Sequence, residues 1–406
     1  MKSAEGAIVA PKGFQAAGVR AGIKSKVNEK KDVALLYSEV PAKVGGVFTK
    51  NVVKAAPVLY DMELVKGQQS QAIIANSGNA NACTGQQGMA DAMRMGALVE
   101  EALGLPAQTV LVASTGVIGH SLPMDRVEKG INDALAALSV DGGHDAALAI
   151  MTTDLIVKEA VSAYIWDGKE ITIGGIAKGS GMIHPNMGTM LAFLTTDAAL
   201  SGAMVQKAVR EAVDATFNMV SVDGDTSTND TCLLLANGKA ENAEIDGDGP
   251  AYAAFLEHLI AVCTRLAKLV ARDGEGATHL LEVEVTGAPD LEAARTIARS
   301  VTASSLVKTA FFGQDANWGR ILCAAGYSGA IFDPQKVDIY LKSVKGSVQV
   351  AADGRGLAFD EAKAKEILAA EDIFVLIELQ QGEATAKGWG CDFSYDYVKI
   401  NADYRT

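Results

Sequence analysis

The residue pair with the most distinctive chemistry is Gly188-Thr189, inside KGSGMIHPNMGTMLAFLTTDA at positions 178–198. Gly179, Gly181 and the run His184-Pro185-Asn186 resist regular structure, whereas TMLAFL reads as an apolar strand opened by Thr189. A hydroxyl at such a join can attack the carbonyl that precedes it. Cleavage of the chain there would expose an α-amino group, whose reference pKa of about 7.7–8.0 suits a base near neutral pH. The same threonine would also fit a strand on β-branching alone. Three more polar, Gly-rich segments follow apolar runs: NSGNANACTG (76–85), STGVIG (114–119) and SVDGDTSTND (221–230). In α/β proteins, loops at strand ends are where ligand-contacting groups collect.

Other chemistries find no support in the sequence. It has no GxxxxGKS/T phosphate loop, no GxGxxG after a strand, no HExxH and no GxSxG elbow. DGDTSTND lacks the sixth-position glycine of a calcium loop, and DGDGP runs into Pro250. His120, His144, His184, His258 and His279 are far apart and suggest no triad. The five cysteines are odd in number and scattered, without a CxxC pair, so buried reduced thiols are expected rather than zinc or disulfides. A net charge of −13, without a basic run to override it, argues against nucleic acid as a partner. Glu5, Lys12 and Arg20 interrupt the opening residues, which excludes a signal-peptide core, and no apolar run is long enough to span a bilayer. The expectation is a soluble, cytoplasmic protein without a membrane partner.

These segments need a scaffold, and 406 residues at about 150 per domain allow two or three domains with a large core. Apolar runs at 33–37, 71–76, 109–114, 232–237, 280–285, 337–342 and 373–379 read as strands. Between them, 251–271 repeats apolar residues at helical spacing, and Ser201 is placed to cap a helix that buries Val205, Ala208, Val209, Ala212 and Val213. The pattern is α/β or α+β. Short strands and a helix near 360–370 suggest a smaller C-terminal unit at about 281–390.

KGSGMIHPNMGTML, STGVIG, NSGNANACTG, SVDGDTSTNDT, DGEGAT, NWGR and the terminal KINADYRT together cover nearly the whole chain. In these motifs and their order the sequence resembles the ornithine acetyltransferases, or glutamate N-acetyltransferases, of arginine biosynthesis. The resemblance implies stacked β-sheets sandwiched by helices, similar to the aminopeptidases related to N-terminal nucleophile hydrolases. It implies self-cleavage between Gly188 and Thr189 into an α chain, 1–188, and a β chain, 189–406, with Thr189 as nucleophile. Those chains would assemble as an α2β2 heterotetramer and need no metal or organic cofactor.

Carried over by position, Thr115 and Gly116 match the oxyanion-stabilising pair, and a Thr-Gly turn can aim a hydroxyl and an N–H at one developing charge. Substrate contacts fall on Thr152, Lys178, Thr189, Glu275, Asn401 and Thr406. Taken singly, Thr152 reads rather as a cap, Lys178 and Glu275 as surface charges, and the C-terminal residues as a frayed tail. The substrates implied are N-acetylornithine and glutamate, with acetyl-CoA left open as a second donor. Gly188 stands where the family more often has Ala, His279 where Lys is usual and His120 where an apolar residue is common. The rival reading on the same fold is an N-terminal-nucleophile aminopeptidase or amidase, in which water accepts the acyl group.

Overall fold

The computed structural model describes residues 5–24, 29–184 and 190–403. Pro185, Asn186, Met187, Gly188 and Thr189, together with Tyr404, Arg405 and Thr406, lie outside them. In chain order the first part holds β1 (Phe14–Val19), β2 (Val33–Phe48), α1 (Ala56–Leu64), β3 (Gln69–Asn79), α2 (Gly85–Leu103), β4 (Val110–Val117), α3 (Met124–Ala136), α4 (Gly143–Ile150), β5 (Lys158–Trp166) and β6 (Lys169–Lys178). After the undescribed segment come β7 (Leu191–Thr196), α5 (Gly202–Ala215), β8 (Val220–Ser221), β9 (Thr231–Ala236), α6 (Pro250–Arg272), β10 (Leu280–Ala288), α7 (Leu291–Ala303), α8 (Ser305–Phe312) and α9 (Trp318–Gly326). The chain closes with β11 (Asp338–Ser343), β12 (Gly346–Ala352), β13 (Arg355–Gly356), α10 (Glu361–Leu368), β14 (Asp372–Glu378), β15 (Ala384–Cys391) and α11 (Tyr395–Asp403).

The larger sheet has eight strands in the order β4-β3-β2-β9-β7-β6-β5, with β1 added on β2. Its pivot is β2. Val33–Tyr37 pair with Ala72–Asn76 of β3, the register slips between Tyr37 and Ala42, and Lys43–Phe48 pair with β9. Pro41, which has no N–H to give a ladder, sits inside that slip. The sheet therefore folds over on itself. Ala34, Leu36, Ile73, Ala75, Leu111 and Ala113 from one half form a single buried cluster with Val44, Ile176, Leu191, Phe193, Leu233 and Leu235 from the other, completed by α4. The alternate residues Leu35, Ile74 and Val112 face outward against α2 and α3, while Ile173, Leu194 and Leu234 face α5 and α6. Period-two alternation makes both layers from the same strands. This is the helix–sheet–sheet–helix sandwich expected from the resemblance.

The second sheet has seven strands, β13-β12-β11-β14-β10-β15-β8. Its core is continuous with α5 and α6, through Val262, Leu266 and Val270 on one side and Leu281, Val283 and Trp389 on the other. The expected helices form, within a residue or two of their expected bounds. Ser201 accepts from the Met204 N–H and caps α5, and Pro250 opens α6, where its missing N–H costs nothing. All seven expected strands are present. The hairpin β5–β6, whose glycines and charged residues hide its alternation, was not legible in the sequence.

Candidate functional site

Two of the expected loops are not loops. NSGN continues β3 to Asn79, and STGV continues β4 to Val117, paired in parallel through Ser77↔Thr115 and Gly78↔Gly116. Several polar residues of these strands find partners within the protein. Ser114 donates to Asn76 Oδ1 at 2.6 Å, and the Asn229 amide donates to the Ser114 and Ala80 carbonyls at 2.8 and 2.6 Å. The register breaks at Asn79, which faces both Thr115 and Val117. Gly116 has φ +132°, and a Cβ there would lie 2.4 Å from the Gly78 carbonyl carbon, so only glycine fits this position in the strand.

At the end of β4 lies a cavity of about 150 Å³. Every described residue carried over from the resemblance lines it: Thr115, Gly116, Thr152, Lys178, Glu275 and Asn401. They arrive from five places: β4, the turn after α4, the end of β6, the turn after α6, and α11. Met190 and Leu191, which follow Thr189, are also in the wall. Gly188, Thr189 and Thr406 lie outside the described residues.

Lys178 and Glu275 are buried, not the surface charges that their types alone would suggest. The Lys178 ammonium donates to Thr115 Oγ1 at 3.3 Å, which leaves the threonine's own proton free to be given elsewhere. Burial pushes the Lys178 pKa below the ordinary lysine value, while Asp154, Asp230 and Glu275 oppose the shift and Lys158 adds to it. Asn401 donates from its amide to Glu275 Oε2 at 2.9 Å, which fixes the carboxylate and docks α11 on the cavity. His279 does not touch Glu275 through any described hydrogen bond and instead meets Asp392 Oδ2 at 3.0 Å.

The residues leading into and out of the undescribed 185–189 segment are held. Met182 and Ile183 donate their N–H groups to the Asp223 carboxylate at 2.6 and 2.8 Å, and the Thr231 N–H donates to the Met190 carbonyl at 3.0 Å. Met182 has φ +57°, a strained conformation for a side-chain-bearing residue and one that clusters at functional sites.

Sequence reasoning missed Asp230. Burial raises its pKa well above the ordinary carboxylate value against the pull of Lys178, and its Oδ2 has no hydrogen-bond partner among the described residues. The signal was available, since Asp230 ends SVDGDTSTND just before the apolar strand CLLLAN. Among the described residues no group of three His, Cys, Asp or Glu side chains is placed to hold a metal ion. Nor is any described helix long and apolar enough to cross a membrane. All five cysteines are free, but Cys83 and Cys323 are exposed, which corrects the expectation of uniformly buried thiols.

The structure thus defines a two-layer α/β sandwich with a polar pocket at the ends of its strands, and sequence comparison gives its family. The chain belongs to the ArgJ family, whose profile matches residues 15–406. It is 54% identical over 406 residues, all of both chains, to the arginine biosynthesis bifunctional protein ArgJ of Caldanaerobacter subterraneus subsp. tengcongensis. It is 55% identical to the protein of that name from Symbiobacterium thermophilum, with 99% of each chain covered. Among solved structures it is similar to ArgJ of Bacillus halodurans, with 44% identity and a TM-score of 0.51 over 53% of this chain and 100% of that one.

Proposed function

We propose that this chain is an acetyltransferase of arginine biosynthesis. It cuts its own backbone between Gly188 and Thr189 and then moves acetyl from N2-acetyl-L-ornithine to L-glutamate through an ester on Thr189. One observation carries the reading: Thr115, Gly116, Thr152, Lys178, Glu275 and Asn401 converge on one cavity whose wall also holds Met190 and Leu191, next in sequence to Thr189.

In the first half-reaction the Thr189 hydroxyl attacks the acetyl carbonyl, and the Thr189 α-amino group takes the hydroxyl proton. The Thr115 hydroxyl and Gly116 N–H donate to the oxyanion. Collapse breaks the C–N bond, the proton passes to the leaving amine, and ornithine departs. In the second half the glutamate amine attacks the ester, Thr189 regains its proton, and N-acetylglutamate leaves. A pocket that serves a side-chain ammonium and a side-chain carboxylate in turn has a use for both Glu275 and Lys178. Thr152, Asn401 and Thr406 complete the substrate contacts.

The pieces 1–188 and 189–406 would stay together, because β6 pairs with β7 and β2 with β9 across the cut. The Bacillus halodurans chain, matched in full by 53% of this one, has about the length of the second piece. Assembly as an α2β2 heterotetramer, a smaller C-terminal unit at about 281–390, a cytoplasmic location and acetyl-CoA as a second donor belong to the same proposal; the relatives' designation as bifunctional favours the last. Hydrolysis by water in place of transfer to glutamate is the less favoured reading, since the full-length relatives carry arginine-biosynthesis names.

The test combines mass analysis with an acetyl-transfer assay. Two pieces, an acetyl adduct on 189–406 after addition of N-acetylornithine, and its discharge by glutamate are expected. Thr189→Ala should stay whole and inactive. Cleavage in that variant, or adduct loss at a rate indifferent to glutamate, would refute the proposal.

A further inference from the structure

Behind the cavity wall lies an ion cluster that no step of the proposed reaction uses. Lys158, the first residue of β5, has no exposed surface. Its ammonium donates to Asp154 Oδ1 at 2.7 Å, to Asp273 Oδ2 at 2.5 Å and to the Ile156 carbonyl at 3.3 Å, which occupies all three of its donors.

The Asp154 carboxylate reaches outward to the pocket, and Asp273 does so through its backbone carbonyl. Asp154 Oδ1 also accepts from the Gly179 N–H at 2.7 Å, and Oδ2 accepts from the Thr152 N–H at 2.8 Å. Asp273 Oδ2 accepts from the Leu155 and Ile156 N–H groups at 3.0 and 3.3 Å. The Asp273 carbonyl accepts from the Ser180 hydroxyl at 2.6 Å, and the Ser180 carbonyl accepts from the Glu275 N–H at 3.1 Å. Thr152 is thus bonded directly, Lys178 adjoins Gly179, and Glu275 is tied through Ser180. The ammonium thus meets the Thr152 and Lys178 segments through Asp154, and the segment that carries Glu275 through Asp273.

Burying one cation and two carboxylates is a poor source of net stability, because desolvation consumes most of the Coulombic gain and apolar residues would fill the space as well. Direction is what the cluster supplies and an apolar core could not. Each carboxylate oxygen aims a backbone N–H and so fixes the segment that carries it. The cluster also carries one negative charge in excess, and Asp154 faces Lys178, whose ammonium it supports against burial.

The two ends of this cluster lie on opposite sides of the proposed cut, with Lys158 and Asp154 before Gly188 and Asp273 after it. We infer that Lys158 is a positioning residue: bridging Asp154 to Asp273, it sets the two pieces in register so that Thr152 and Lys178 of one and Glu275 of the other form a single substrate pocket. The inference rests on the proposed cleavage and transfer. Strand pairing between β6 and β7 holds the pieces together, while the Lys158 bridge decides whether their pocket residues align.

The experiment uses the full-length chain, with Lys158→Met and Asp273→Asn each compared with the unaltered protein. Asp273→Asn keeps the shape and one acceptor but removes the charge. Mass analysis should show both variants cut into the same pieces, and gel filtration should show those pieces still associated. KM for N-acetylornithine and for glutamate should rise about tenfold or more, with kcat changed much less, because ground-state alignment is what is lost. Hydrogen exchange should quicken in 152–156 and 178–182 and stay unchanged in β11 and β14. If the unaltered protein transfers no acetyl, the proposed activity has failed, and exchange alone then decides the bridge. Unchanged KM and exchange would overturn the inference, as would insolubility of both variants, which would make the cluster purely structural.

Discussion

Gly181 is not among the glycines with a positive φ, yet an alanine there should disable the pocket. A Cβ built on Gly181 lies 2.3 Å from Glu275 Oε2, 2.4 Å from Cδ and 2.6 Å from Oε1. Ordinary contact begins near 3.4 Å, so the carboxylate must retreat by about 1 Å. The backbone need not move, since the obstacle is the far end of a flexible side chain, and stability should fall by about 1 kcal/mol or less. The site has less tolerance. A retreat of that size breaks the 2.9 Å bond from Asn401 and moves the group assigned to the substrate's charge. Misplacement of a positioning group by about 1 Å can cost roughly a hundredfold in rate, so Gly181→Ala should lower kcat/KM for N-acetylornithine by about that factor while cleavage into two pieces persists. Glu275→Asp, which shortens the obstacle by one methylene, should restore part of the loss when added to Gly181→Ala. Steady-state kinetics of the two single variants and the double, with melting temperatures alongside, are the assay. Wild-type kinetics in Gly181→Ala, or a double variant worse than the product of the singles, would refute the reasoning.

Thr115→Ala should lower kcat about a hundredfold or more, the usual cost of one oxyanion donor, and should slow self-cleavage as well, because both reactions pass through a tetrahedral oxyanion; normal rates in both would return Thr115 to a strand end. Because burial lowers the Lys178 pKa, with Asp154, Asp230, Glu275, Lys158 and Lys24 as the charges around it, KM should worsen as pH rises through a range below the ordinary lysine value of 10.5, and Lys178→Met should flatten that dependence. The kcat limb should run the other way, rising through about pH 8 as the Thr189 α-amino group loses its proton. Burial works to raise the Asp154 pKa, but Lys178 and Lys158 prevail and hold it well below the ordinary 3.8. A depressed carboxyl stabilises the fold above its unfolded pKa and stops doing so as pH falls through its folded one, so acid unfolding should begin later in Asp154→Asn than in the unaltered protein, measured against their own plateaus. Removal of residues 401–406 should spare cleavage and abolish transfer, and unchanged kinetics after truncation would show the tail to be idle.

What the sequence determined by itself was local. Period-two runs such as CLLLAN and IFVLIEL and the helical spacing of 251–271 follow from which face a side chain must bury, and they could be read without partners. Motifs in order pointed to Thr115, Gly116, Thr152, Lys178, Glu275 and Asn401, which the fold brings to one cavity, although no local feature said that Lys178 and Glu275 would be buried. Tertiary structure decided the rest, because burial and hydrogen-bond satisfaction depend on what other segments bring. NSGN and STGV look like loops until Asn229, more than a hundred residues later, supplies the amide that lets them run on as strands. The slip at Pro41 turns one ladder into two stacked layers only because each half has a helical face to bury its outer side. Lys158 reads as an unremarkable strand-opening lysine. It becomes the anchor of the pocket only when the fold brings Asp273 to it across 115 residues of chain, since a buried charge takes its meaning from its partners and not from its neighbours in sequence.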